Sequence, residues 1–290
     1  MQRFSVSLLI ALAVALTPLR GAAQSVTLNP AVVEAGSPEL IRVAVPHAAT
    51  VEGEWLGRKL QFFRDRQKHA WYALAGADVE APAGPSTLTI LAKDAQGVTT
   101  DLSQQVEIVA AHYRTGSLKV APQFVEPGAE VKQRIAEEAA LKEKIFSQSA
   151  AQPLWTGSFK APVREAATDS FGTRRMFNGK LASVHKGMDF RAATGTPVLA
   201  GQAGVVVLAR SLFYEGNCVV VDHGLGFYTI SMHLSRIDVI EGEGVSPGEK
   251  LGLSGATGRV TGPHLHWAAR WQGAYLDPAK LLKMNLNGLQ

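Results

Sequence analysis

From Phe159 to Leu276 the chain never sustains an apolar pattern of helical period; short runs of β-branched and apolar residues are cut at close intervals by glycine. Val205 to Ala209, Asn217 to Asp222, Phe227 to His233, Lys250 to Ser254 and His264 to Trp271 are all too short for buried helices and read as strands. No helical period of useful length follows until Pro278 to Met284. Such a segment buries its apolar residues as a sheet, so residues 153–290 are expected to form a mainly antiparallel β domain with long loops.

The preceding sequence punctuates itself differently. Between Ser25 and Ala110, turn signals such as Glu34-Ala35-Gly36-Ser37-Pro38, Ala83-Gly84-Pro85 and Asp94-Ala95-Gln96-Gly97 separate short alternating runs. Leu88, Ile90 and Ala92 alternate with Thr87, Thr89 and Leu91, and Val106, Ile108 and Val109 make a closing strand, so residues 25–110 are expected to be a small Ig-like β-sandwich. Residues 111–152 read as a linker. Within it Pro127-Gly128 opens a segment from Ala129 to Ser147 in which Val131, Ile135, Ala139 and Ile145 or Phe146 recur at helical spacing. An amphipathic helix bridging two domains is expected there, its Glu and Lys residues forming a solvated face. The fold class is therefore mainly β, and at 290 residues each of two domains is long enough to bury a core of its own.

The first 23 residues have the layout of a signal peptide: Arg3, an apolar run from Val6 to Leu16, Pro18, then the small residues Gly21, Ala22 and Ala23. The run is too short to span a bilayer, so export to the periplasm or cell envelope, without stable membrane insertion after cleavage, is the expectation. Removing Arg3 and Arg20 lowers the formal charge from +4 to +2, and the basic residues are scattered, which argues against a nucleic-acid partner. With 46% apolar and 19% charged residues the chain is neither disordered nor a multi-span membrane protein. Cys218 is the single cysteine; its flank Val219-Val220-Val221 predicts a buried strand thiol.

Two short motifs carry metal-ligating residue types: His185-Lys186-Gly187-Met188-Asp189 and His264-Leu265-His266. In a strand, residues i and i+2 share a face, so His264 and His266 project together, while Trp267 and Trp271 fall on the opposite face with Leu265 and read as core. His185 and Asp189 have the spacing of one helical face, but Gly187 and strand-like flanks favour a tight loop. Two imidazoles and one carboxylate form a known catalytic zinc set that keeps a fourth position open. His47, His69 and His112 have no partner at ligand spacing and read as surface or packing residues.

Seven blocks in fixed order resemble the lysostaphin-like (LytM-type, M23) zinc metallopeptidase family: Phe171-Gly172-Thr173-Arg174; His185 to Phe190; Gly195-Thr196-Pro197-Val198; Asp222-His223-Gly224-Leu225-Gly226; Met232-His233-Leu234-Ser235; Gly255 to Trp267; and Leu276-Asp277-Pro278. The resemblance covers roughly residues 159 to 283. It implies zinc bound by His185, Asp189 and His266, with His233 and His264 as catalytic histidines, and leaves open which of them is the base. Arg174 is a candidate for lining the substrate groove, a surface arginine being equally compatible, and His223 is a candidate for a structural or groove-lining role. Gly255, Gly258 and Gly262 read as turn glycines that deliver His264. One departure stands out: Ser231 occupies a place where many relatives carry tyrosine, two residues before the catalytic histidine.

The resemblance implies an exported metalloendopeptidase acting on the peptide part of peptidoglycan. No His-Glu-x-x-His motif supplies a glutamate base, and histidine, which titrates near pH ~6.5, can shuttle the proton instead. The alternative is a catalytically inactive adaptor of the same fold that activates another cell-wall hydrolase.

Overall fold

The computed structural model describes residues 24–65, 67, 69–118, 128–177 and 180–289; the expected signal peptide lies outside them. The N-terminal part is two sheets. Ser25–Asn29, Pro38–Ala44, Ala70–Gly76 and Phe63–Asp65 form one in that order, and Val33–Glu34, Thr99–Val109, Gly84–Asp94, Ala48–Trp55 and Arg58–Gln61 form the other. Its longest hairpin runs in register from Gly84↔Ile108 to Lys93↔Thr99. Its turn is set by Asp94, whose Oδ1 accepts from the N–H groups of Gln96 and Val98 at 2.9 and 2.8 Å. Leu88, Ile90 and Ala92 point inward and share a core with Ile41, Val43, Tyr72 and Leu74 of the facing sheet, whereas Thr87, Thr89 and Leu91 are exposed.

The C-terminal part is built on an eight-stranded antiparallel sheet. Its order is Ala167–Asp169, Met188–Phe190, Leu265–Trp271, Phe227–Leu234, Gly216–Asp222, Gly204–Leu212 and Gly244–Val245, with Ala274–Leu276 also pairing with Leu265–Trp271. Every residue of Leu265–Trp271 is buried, so both of its faces are covered. Leu265, Trp267, Ala269 and Trp271 enter the main core, as strand parity predicts, and Ala268 enters a second cluster with Leu208, Cys218, Val220, Tyr228 and Ile230. The Cys218 thiol is buried, and burial pushes its pKa above the ordinary range.

The helix Ala129–Phe146 lies against this second cluster through Ile145 and Phe146. The expectation that its charges merely face solvent is corrected. Glu138 Oε2 accepts from the Phe213 N–H at 2.8 Å, Lys142 pairs with Glu215, and the Arg270 guanidinium stands 3.8 Å over the Phe146 ring. These contacts fix the helix on the C-terminal sheet rather than between two domains.

One buried apolar cluster runs through both parts. Trp155 meets Phe63 edge-on at 5.4 Å. Backbone bonds cross the junction: the Val79 N–H donates to the Tyr275 carbonyl at 3.1 Å, and the Asp277 N–H to the Gly36 carbonyl at 2.7 Å. A Cβ at Gly76 would stand 2.5 Å from the Leu276 side chain, so the close approach requires glycine. Among the described residues no helix is long and apolar enough to cross a membrane.

Candidate metal centre

Three chain segments bring three ligand-type atoms together. Asp189 and His266 are direct cross-strand partners of Met188–Phe190 and Leu265–Trp271, so their side chains emerge on one face. His185 follows the strand Lys180–Val184, its N–H donating to the Thr173 carbonyl at 2.9 Å and its carbonyl accepting from the Gly172 N–H at 2.8 Å. Lys186 and Gly187 then form the short loop expected between His185 and Asp189. Gly187 is obligatory there, since a Cβ would lie 2.5 Å from His266 Nε2.

His185 Nε2 is 3.0 Å from Asp189 Oδ1 and 2.9 Å from His266 Nδ1, and His266 Nδ1 is 2.8 Å from Asp189 Oδ1. These three buried residues form the candidate metal-binding group. The donor set fits a zinc ion. His185 Nδ1 donates to the Ser170 carbonyl at 3.0 Å, which leaves Nε2 as a lone pair aimed at two other acceptor-type atoms. Converging lone pairs repel unless a proton or a cation lies among them. Ligands of one tetrahedral ion at ~2.05 Å stand roughly 3.3 Å apart, close to the separations observed.

The electrostatics agree with a permanently ionised carboxylate. Burial would raise the Asp189 pKa, but the imidazoles of His185 and His266 beside it outweigh that and hold the group below the usual carboxylate range. Burial, opposed by Asp189, keeps the His266 pKa below its ordinary value. Asp189 Oδ2 accepts from Arg175 Nη2 at 2.8 Å.

Two more imidazoles border the triad. The His233 ring is 4.9 Å from that of His264 and 6.1 Å from that of His266, and His264 Nε2 is 3.8 Å from Asp189 Oδ1. His233 Nδ1 donates to the Thr257 carbonyl at 2.9 Å and His264 Nδ1 to the Gly262 carbonyl at 2.8 Å. Both backbone contacts select the tautomer in which Nε2 carries the lone pair. Burial first, and the charges of His266 and His264 next, lower the His233 pKa to about 3, so the ring is neutral. Its backbone has φ = 64°, an uncommon region for a residue with a side chain. Gly258, at φ = 74°, turns the loop that returns to His264.

His233, His264 and Asp189 line one cleft of about 510 Å³. Two of the sequence candidates, Arg174 and His223, do not line it. Arg174 is exposed and borders a different hollow beside Tyr113, because alternation along Arg174–Phe177 turns its neighbour Arg175 toward the cleft. His223 is fully buried against Phe159, Nδ1 donating to the Ala203 carbonyl at 2.7 Å and Nε2 accepting from Thr229 at 2.8 Å. Burial lowers its pKa to about 4, so it is a neutral packing residue away from the groove. Arg114, Arg175 and Arg259 line the cleft without having been singled out in the sequence; for Arg175 the strand alternation was the available signal. His47, His69 and His112 are exposed.

Residues 183–278 match the profile described as Peptidase family M23. The chain is 43% identical over 120 residues to the peptidoglycan DD-endopeptidase ShyA of Vibrio cholerae, covering 41% of this chain and 27% of that protein. It is 41% identical over 98 residues to the DD-carboxypeptidase/endopeptidase Mpg of Neisseria meningitidis, covering 34% of this chain and 23% of the other. The chain thus spans about a quarter of the length of these curated relatives. A crystal structure assigned to peptidase M23 from Pseudomonas aeruginosa superposes with a TM-score of 0.64 at 28% identity, covering 84% of this chain and 92% of that one.

Proposed function

We propose, from the match of residues 183–278 to peptidase family M23, that the chain is an exported zinc metalloendopeptidase hydrolysing peptide bonds of peptidoglycan stem peptides or cross-links in the cell envelope. The observation that carries this reading is the convergence of His185 Nε2, Asp189 Oδ1 and His266 Nδ1 to mutual distances of 2.8 to 3.0 Å at the wall of an open cleft. The similarity to ShyA, a peptidoglycan DD-endopeptidase, supports peptidoglycan as the substrate.

His185, Asp189 and His266 would hold the metal, which when bound would supply Lewis-acid activation of the scissile carbonyl and the attacking water. The remaining work belongs to the chain. With Nδ1 committed to a backbone carbonyl, His233 and His264 each offer Nε2 as a proton acceptor. The ring that takes the proton from water becomes a donor, able to stabilise the oxyanion and to return the proton to the departing amine. The rings, 4.9 Å apart, are close enough for one to receive the proton while the other orients the water. Arg175, bonded to Asp189 Oδ2, keeps that carboxylate oriented.

Incubation of the mature protein with purified peptidoglycan, with and without a chelator, tests the reading. Newly exposed amino groups, read by mass analysis of the fragments, are expected only when metal is present. Zinc-loaded protein that releases no fragment from any peptidoglycan type would overturn the enzyme reading and favour the inactive adaptor.

A further inference from the structure

The bonds that aim the His233 ring lead to one turn. Phe213, Tyr214 and Glu215 join the strands Gly204–Leu212 and Gly216–Asp222, and Gly216, at φ = 63°, closes this three-residue connection. The Glu215 carbonyl accepts from the His233 N–H at 2.9 Å and so ties down a backbone held at φ = 64°. The same turn grips the loop that holds the ring. The Tyr214 carbonyl accepts from the Arg259 N–H at 2.9 Å, and the Asn217 N–H donates to Thr257 Oγ1 at 2.9 Å. Thr257 Oγ1 donates to the Leu234 carbonyl at 2.8 Å, and the Thr257 carbonyl accepts from His233 Nδ1 at 2.9 Å. A Cβ on Gly216 would stand 2.3 Å from Thr257 Oγ1, so turn and loop are in direct contact.

The turn is held in its place by a segment that precedes residues 183–278. The helix Ala129–Phe146 meets it through two side chains four residues apart, which share one helix face. Glu138 Oε2 accepts from the Phe213 N–H at 2.8 Å, and Lys142 donates to the Glu215 carboxylate. One helical turn earlier, Arg134 bonds Glu138 at 2.7 Å and lies 5.9 Å from the Phe213 ring. The Lys142 and Glu215 side chains are only 29% and 14% exposed, so salt screens their attraction less than it would a surface pair. Burial opposes the Lys142 charge, but Glu215 outweighs it and raises the pKa above its ordinary value. Charged contacts, more than the weak apolar stripe of the helix, therefore join it to the turn.

We propose that Glu138 and Lys142 are positioning residues for His233, acting through the turn at residues 213–215, so that the helix is a working part of the catalytic unit. The inference rests on the peptidase reading above. Neither side chain touches the reacting atoms; each fixes one end of the turn. Without them the main-chain tether and the Nδ1 tether of His233 loosen together. A residue in a disfavoured backbone region depends on such tethers to stay there.

The test compares the zinc-loaded mature protein with Lys142→Met and Glu138→Gln on a synthetic cross-linked stem-peptide dimer. Small misplacement of a reacting group is costly, so kcat should fall about 10- to 100-fold while KM and zinc content hold. Nitrogen NMR of isotope-labelled histidine supplies a readout apart from turnover. In the parent the His233 signal should report a proton on Nδ1 and a lone pair on Nε2; in both variants it should move toward a mixture of tautomers. The double variant Lys142→Met with Glu215→Gln should lose no more than either single one, because both remove the same contact. Parental kcat in both single variants, a loss confined to KM, additive losses in the double variant, or an unmoved His233 signal would each overturn the proposal. If the parent cleaves nothing, the peptidase reading fails and the His233 signal alone decides the positioning. If the parent cleaves and the variants match it, the positioning fails and the peptidase reading stands.

Discussion

His233 combines a neutral imidazole, a backbone-fixed tautomer and a left-handed backbone at φ = 64°. A non-glycine residue pays roughly 1 kcal/mol or more for that conformation, and such outliers cluster where a side chain must be aimed at chemistry. None of the three candidate metal-binding side chains depends on the His233 ring, so on the proposed mechanism His233→Ala should bind zinc as the parent does while turnover falls by ~10² to 10³. Metal content by mass spectrometry and the cleavage rate check this together; near-normal turnover would take His233 out of the mechanism. The residue types and spacings of this site were legible because they sit in short motifs. The swap of Arg174 for Arg175 was not, because alternation says that adjacent residues face opposite ways without saying which way the cleft lies. Which of its two roles His223 takes was likewise not legible: its motif position is visible in the sequence, but the Phe159 ring that buries it comes from 64 residues upstream (223 − 159).

Among the elements, the helix Ala129–Phe146 had the least readable role. Its period was plain, yet its hydrophobic stripe is weak and none of its residues is fully buried. What anchors it is one end: Phe146 stands edge-on to Tyr228 at 5.1 Å and beneath the nearly buried guanidinium of Arg270. Phe146→Ala should therefore cost about 2 kcal/mol in urea unfolding, combining lost packing with a lost cation–π contact. A change within ~0.5 kcal/mol, as is usual for surface positions, would mean that the helix is only a tether. The strands, by contrast, fell close to expectation: Phe227–Leu234 and Leu265–Trp271 match the runs read from alternation to within a residue.

At the scale of the whole molecule, the continuous core makes the junction part of the folding unit and buries a carboxyl group near it. Glu39 is fully buried, with Oε1 accepting from Ser37 at 2.6 Å and Oε2 lacking a hydrogen-bond partner. Burial, only partly opposed by the Ser37 hydroxyl and by Lys280 of the C-terminal helix Pro278–Leu281, raises its pKa from 4.5 to about 8. The folded state thus holds a proton that the unfolded state releases between those values. This contribution to stability is fully present below pH 4.5 and is lost as pH rises toward 8. Stability should fall by a few kcal/mol over that interval, and Glu39→Gln, a neutral stand-in, should flatten the slope. Denaturation series at pH 5, 7 and 9 measure both; an unchanged slope in the variant would assign the proton elsewhere.

Local spacing alone determined the strands, the tight His185 to Asp189 loop and the shared direction of His264 and His266, because backbone periodicity and glycine geometry act over a few residues. The tertiary structure decided the rest: that Asp189 and His266 are cross-strand partners, that Arg175 and not Arg174 meets the carboxylate, and that the N-terminal and C-terminal sheets share one core. Those outcomes depend on which face of a strand is covered by a distant segment. Burial and charge pairing are properties of that cover, and the sequence around a residue does not contain them.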